Sequence, residues 1–123
     1  MTNGPSTIPD DELLLAKKQP RTRTAQIVVV DDMGEAHQVT FTFKAMSSWE
    51  WDRLVGQHPP TKDEREAGQT WNAKTMPAAL IAKCLVSPTL TLQQVEAMYE
   101  DPAWAPGELT QLFNAAWRAN FGG

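Results

Sequence analysis

The sequence predicts an α+β fold, mostly α: an N-terminal β-hairpin followed by about four α-helices, behind a disordered N-terminal tail. Three observations predict it. The hydrophobic period is two between residues 24 and 44, where AQIVVV and HQVTFTFK flank the turn-forming DDMGE. After residue 46 the spacing becomes helical, and Ser/Thr caps and prolines punctuate the apolar stripes. Finally, 123 residues suffice for one modest core and not for two, so hairpin and helices must share it.

Residues 1–9 hold Gly4, Pro5 and Pro9 among small polar side chains, too little apolar surface to offset the entropy of ordering, and are expected to form a flexible tail. Residues 10–123 are expected to form a single domain. Within it, residues 10–19 suit a short helix: Asp10, Asp11 and Glu12 at the positive end of the dipole, Leu13 to Leu15 in the middle, Lys17 and Lys18 at the negative end, and Pro20 as a stop. So short a helix is marginal alone and needs a partner surface, which makes Leu13 and Leu14 candidate contacts. In the hairpin over 24–44, Val39, Phe41 and Phe43 share one face and Gln38, Thr40 and Thr42 the other. A lone hairpin is unstable, so the apolar face must be covered by helices or by another copy's strands.

The helical part over 46–121 supplies that cover. Ser47 and Glu50 have the spacing of a capping box, Met46 stands where it can staple onto Trp51, and Trp51, Leu54 and Val55 share one side of the helix that follows, which ends near Gly56. QHPPTKDEREAGQT is a polar loop with one exposed turn at KDEREA, anchored at its far end by Trp71. TMPAALIAKCLV opens with Pro77 and is apolar nearly all round, as a central helix must be. A second capping box, Thr91 with Gln94, begins a helix with a Leu92, Val95, Met98, Tyr99 stripe. PGELTQLFNAAWRANF then puts Leu109, Leu112, Phe113, Ala116 and Trp117 on one face, and Gly122 is a C-terminal stop.

Composition excludes several functions. A formal charge of −4 and a pI near 5.1 provide no basic face for nucleic acid. One cysteine, Cys84, excludes an internal disulfide framework and a multi-cysteine zinc site. The opening MTNGPSTIPDDE lacks the basic and apolar regions of a signal peptide, and no apolar run approaches the roughly 18 residues of a membrane span, so a soluble intracellular chain is expected. His58, flanked by Asp52 and Asp63, has the chemistry of a base or metal ligand, yet its place between a helix end and Pro59 and Pro60 suits a structural role better. His37 falls in the hairpin, and no HxxxH or HxH pair exists. Asp31 and Asp32, beside Met33 and Gly34, are what a tight turn selects. Cys84 lies in the most apolar helix, as a buried structural thiol would. Without a glycine-rich phosphate loop, GxSxG or CxxC, a non-enzyme with no cofactor and no metal site is expected.

The five tryptophans carry more weight, because tryptophan is favoured both in small cores and at the centres of protein interfaces. Trp51 and Trp117 lie on expected core faces. Trp49 is turned about 200° from Trp51 around the helix, and Trp104 sits in the loop DPAWAPG. Trp49 and Trp104 are therefore the candidate protein-contact residues, with Leu13 and Leu14.

Four stretches in order, Trp51-x-x-Leu54-x-x-x-His58-Pro59-Pro60, the P-A-x-L-I-A segment, the S-P-T-L-T junction and the terminal amphipathic helix ending in Asn120, make residues 10 to 121 resemble the tail assembly chaperones of long-tailed (siphovirus-type) phages infecting actinobacteria. The resemblance implies no catalytic residues. It implies a protein made in the host cytoplasm that binds the tape measure protein, keeps its apolar helices soluble, helps recruit tail tube protein, and is absent from the finished virion. A frameshift-extended form is common in that family, and the closing Phe121-Gly122-Gly123 would fit a G-rich slippery stretch; mass spectrometry of infected cells finding only the short product would remove that expectation. The open hairpin edge adds self-association into a homo-oligomer as a further expectation. Two competing expectations stay open: a structural tail component, a connector or tube-associated subunit, retained in the particle, and an enzyme with a site assembled around His58 and Asp52.

Overall fold

A computed structural model of the protein describes residues 9–15 and 19–122, apart from the side chains of Leu13 and Leu15. Residues 1–8 of the tail expected over 1–9 and the basic end of the first helix, at Lys17 and Lys18, lie outside the described residues. The elements in chain order are α1 (Asp10–Leu15), β1 (Thr22–Val30), β2 (Ala36–Lys44), α2 (Ser48–Gln57), α3 (Lys62–Glu66), α4 (Met76–Cys84), β3 (Leu85–Ser87), α5 (Leu92–Glu100) and α6 (Pro106–Phe121). The fold is α+β, with one antiparallel sheet in the order β1-β2-β3.

The sheet corrects the expectation of a two-stranded hairpin followed only by helices. The chain leaves α4 at Leu85 and pairs with β2 instead, Leu85 opposite Phe43 and Ser87 opposite Thr42, with an irregularity between them. The local cause is legible afterwards: Pro88 bars Ser87 from helical dihedrals, and β-branched Val86 favours the extended form. The exposed turn expected at KDEREA within the polar loop is the short helix α3. Thr61 accepts from the Glu64 N–H and Glu64 accepts from the Thr61 N–H, closing a complete capping box on a turn that buries no side chain. The boxes at Ser47–Glu50 and Thr91–Gln94 are both made in the same two-way fashion.

Each strand of the hairpin contributes one inward face. From β1 comes Ile27 and from β2 come Phe41 and Phe43, all buried. Helix α6 crosses β1 and β2 and packs on α4, and α4 packs in turn on α5. Leu80 and Ile81 of α4, Val95 of α5 and Leu112 of α6 are fully enclosed between them. Six of the nine α4 residues are buried, which is why that helix is apolar nearly all round. The α5 stripe is narrower than its sequence suggests: Val95 and Met98 are buried, but Leu92 and Tyr99 at its margins are exposed.

Two devices fasten the C-terminal helix. The rings of Trp51, Trp71, Trp117 and Phe121 form a cluster with centroids 4.4 to 5.8 Å apart, joining α2, the segment before α4, and the end of α6. Such pairs contribute about 0.5–1.5 kcal/mol each beyond the area they bury. Alongside, the Asn120 side chain accepts the Met46 N–H at 2.8 Å and donates to the Ala116 carbonyl at 2.8 Å and to the Cys84 sulfur at 3.3 Å. One amide thus ties the β2–α2 joint, α4 and α6 together. Asn120→Ala removes the acceptor of a partly buried N–H and is expected to cost about 1–3 kcal/mol in urea unfolding. A loss of only a few tenths would mean that water replaces the side chain freely.

Candidate protein-contact site

The segment between α5 and α6, DPAWAPG, is held by its own short-range bonds. Asp101 accepts the Ala103 N–H through its carboxylate and the Trp104 N–H through its carbonyl, both at 2.9 Å. Pro106 opens α6 with its fixed φ, and Glu108 accepts the Ala105 N–H at 2.9 Å. The turn sets Trp104 edge-on to Phe41 of the sheet, centroids 6.3 Å apart at 79°. The same indole lines a cleft of about 310 Å³ together with Tyr99, Phe113, Pro77 and Pro106. Rigid aromatic and proline walls lose little entropy on binding, which suits them to an apolar side chain from a partner. Partial burial pushes the Tyr99 hydroxyl above its usual pKa, so it stays a neutral donor at the rim.

Of the four residues expected to contact partners, Trp104 alone lines the cleft among those whose side chains are described. Trp49 is 82% exposed on the outside of α2, and Leu14 is 77% exposed on α1. Trp104 is half-buried in the cleft, which Trp49 does not line. The side chain of Leu13 lies outside the described residues. Sequence reasoning missed Tyr99 and Phe113 as cleft residues, because their helical spacing assigns both to core stripes. The available signal was positional: both stand at the margin of a stripe, beside a loop with prolines on either side of Trp104.

The polar candidates are held by local bonds. His58 caps α2, its N–H donating to the Val55 carbonyl, while its Nδ1 lies 2.9 Å from the Thr75 hydroxyl and its carbonyl accepts the Asn72 N–H. These bonds latch the polar loop to the start of α4. The Cys84 thiol is buried, and that burial pushes its pKa up, against the opposing hydrogen bond from Asn120. At the hairpin turn, Asp31 accepts the N–H groups of Met33 and Glu35 at 2.9 Å and lies 2.7 Å from His37 Nε2, while Gly34 supplies a φ of 82°. The bond from His37 first, then those from Glu35 and Met33, hold the Asp31 carboxyl below its ordinary value. Asp31, Glu35 and His37 place their ligand atoms within 4.8 Å of one another, a grouping with the chemistry of a divalent-cation site that sequence reasoning did not assemble. The bonds that close the turn account for the same arrangement.

Comparisons with protein-family models, with curated proteins and with solved structures find no match to this chain. No described helix is long and apolar enough to cross a membrane.

Two outcomes are expected from this chemistry. Because the folded-state pKa of Asp31 is depressed, its contribution to stability is present above the unfolded value, near 3.8, and is lost as pH falls through the folded value. A carboxyl NMR titration should place the Asp31 midpoint below 3.8, and His37→Ala should move it upward; an unmoved midpoint would show that the turn amides alone set it. Separately, Cys84 should react with a disulfide reagent only as fast as the domain opens, and rapid stoichiometric labelling of the native chain would contradict its buried, protonated state.

Proposed function

We propose that the chain is a phage tail assembly chaperone, acting in the host cytoplasm on the tape measure protein. It holds apolar segments of that client in solution and helps bring tail tube protein to it. The observation that carries this reading is the aromatic cleft of Trp104, Tyr99 and Phe113, whose walls and dimensions fit one or two apolar side chains of a client helix. Exposed Trp49 on α2 supplies a second, separate contact. Two modest contacts suit a holdase better than one deep pocket, because the client must be released when the tail tube closes around it. The sequence resemblance supplies the identity of the client.

The deciding experiment is co-expression with the tape measure protein encoded nearby, followed by pull-down and a solubility assay. The client should be soluble only in the presence of this chain, and the two should co-purify. If the client is unaffected and the chain is stoichiometric in mature particles, it is a structural tail component and the proposal fails. Within a positive result, Trp49→Ala should weaken client binding about tenfold or more while leaving unfolding nearly unchanged, since it removes an exposed hot-spot ring. Trp104→Ala should reduce both, because that ring also packs on Phe41.

A further inference from the structure

Among the described residues no strand pairs with the outer side of β1, and that side has a specific chemical pattern. Ladder bonds run from the Ala45 N–H to the Arg21 carbonyl and from the Asp31 N–H to the Glu35 carbonyl, and the register between them is regular. Antiparallel ladders alternate, so the odd-numbered residues of β1 direct their backbone groups to β2. Thr22, Thr24, Gln26, Val28 and Val30 therefore direct theirs to the open edge. The side chains of all five are exposed. Soluble proteins guard such edges with proline, charged side chains, a bulge or a very short strand; β1 runs nine residues without proline or bulge, and its one charged residue, Arg23, stands next to its first end.

Beside this edge lies α6. One cleft of about 390 Å³ joins Val28, Val29 and Val30 to Trp104 and Glu108, and another of about 430 Å³ joins Arg23, Thr24 and Ala25 to Gln111, Ala115 and Arg118. The helix positions 108, 111, 115 and 118 recur at helical spacing, so a single face of α6 follows the strand from end to end. That face carries a carboxylate at the Val30 end and a guanidinium at the Arg23 end. The strand has the same polarity, with Arg21 and Arg23 before it and Asp31, Asp32 and Glu35 at the turn beyond it.

We propose that this edge pairs with the β1 edge of a second copy, about a two-fold axis through Gln26. That axis is the one that sets every outward residue opposite another: Gln26 faces its own copy and Thr24 faces Val28 as hydrogen-bonded pairs, and Thr22 faces Val30, where the Thr22 carbonyl, which accepts from Arg23 Nη1 at 3.1 Å within one chain, accepts the Val30 N–H on its second lone pair. β-branched residues then oppose one another across the seam, a favoured cross-strand pairing. The same rotation brings Glu108 toward Arg118 of the other copy and sets each basic strand end against an acidic turn. A polarity that is opposite at the two ends of one groove is complementary to itself under a two-fold axis, which is what an isologous dimer needs. The product is one continuous six-stranded sheet with both helical layers on the same side. None of this depends on the chaperone reading.

The test is sedimentation equilibrium of the full chain, with amide hydrogen exchange on the same samples. The wild type should form a dimer with a micromolar dissociation constant that weakens as salt rises, and the even-numbered β1 amides should gain protection in the dimer. Gln26→Pro removes an N–H that β2 does not use, so it should raise the dissociation constant at least about tenfold while tryptophan near-UV circular dichroism is retained. Arg118→Glu, which sets like charges opposite Glu108, should also weaken the dimer and so provides a second reading if the proline variant unfolds. A wild type that stays monomeric to about 100 μM overturns the proposal. So does a dimer that tolerates both substitutions, which would place the interface elsewhere. A monomer whose β1 amides become protected only on addition of client would also overturn it, and would assign the edge to the client.

Discussion

A hairpin with one apolar face cannot stand in water, and the architecture follows from covering that face. Alternation along β1 and β2 directs Ile27, Phe41 and Phe43 to one side, and each is almost completely enclosed. Two phenylalanines on one strand require a broad apolar lid, which α6 and α4 provide with Leu112, Leu80, Ile81 and Met76. Small residues let the lid approach closely: Ala115, Ala116 and Ala119 of α6 and Ala78 and Ala79 of α4 are all buried. The return of the chain as β3 belongs to the same solution. Pairing Leu85 with Phe43 satisfies part of the far edge of β2 where the helices end.

How much of this was legible depended on whether the determining interaction was local. The boxes at Ser47–Glu50 and Thr91–Gln94 are spaced three residues apart and are made as the spacing implies. Thr61 and Glu64 carry the same signal, but KDERE lacks an apolar stripe, so the sequence shows an exposed turn there without showing that a capping box holds it. β3 was out of reach for a different reason. Its two pairings join residues more than forty positions apart, and a segment ending in Cys-Leu-Val continues a helical pattern until β2 is there to receive it. Asn120 was visible only as the end of a helix; its role as a three-way fastener exists only once Met46 and Cys84 have been brought to it.

The candidate site was legible by residue type and not by arrangement. An indole between prolines in a loop announces itself, and so does a tryptophan on the polar side of a capped helix. What the stripe rule misassigns is the margin of the helix, where an aromatic ring is neither core nor surface. Tyr99 and Phe113 sit at such margins, one leaving the Val95–Met98 stripe and the other flanking Leu109 and Leu112. The cleft exists because α5 and α6 diverge around the DPAWAPG turn, and that divergence is a tertiary fact.

Trp104 stands at the junction of these features. Its ring packs on Phe41 in the sheet, walls the aromatic cleft, and lines the groove beside Val28 to Val30 at the open edge. A group that fills the cleft therefore fixes the same indole that a strand added at the edge would meet. Two binding events that share a side chain are linked, and the linkage is reciprocal: whatever rotamer the first occupant favours raises or lowers the affinity of the second by the same factor. Since Phe41 is held on all sides by the core, the indole has few alternative positions, and the sign of that coupling is set by whether both occupants accept the one geometry the sheet permits. On the proposed chaperone reading, a small domain that holds a client and later lets it go would gain from such sharing, because pairing at the edge would then alter what the cleft retains.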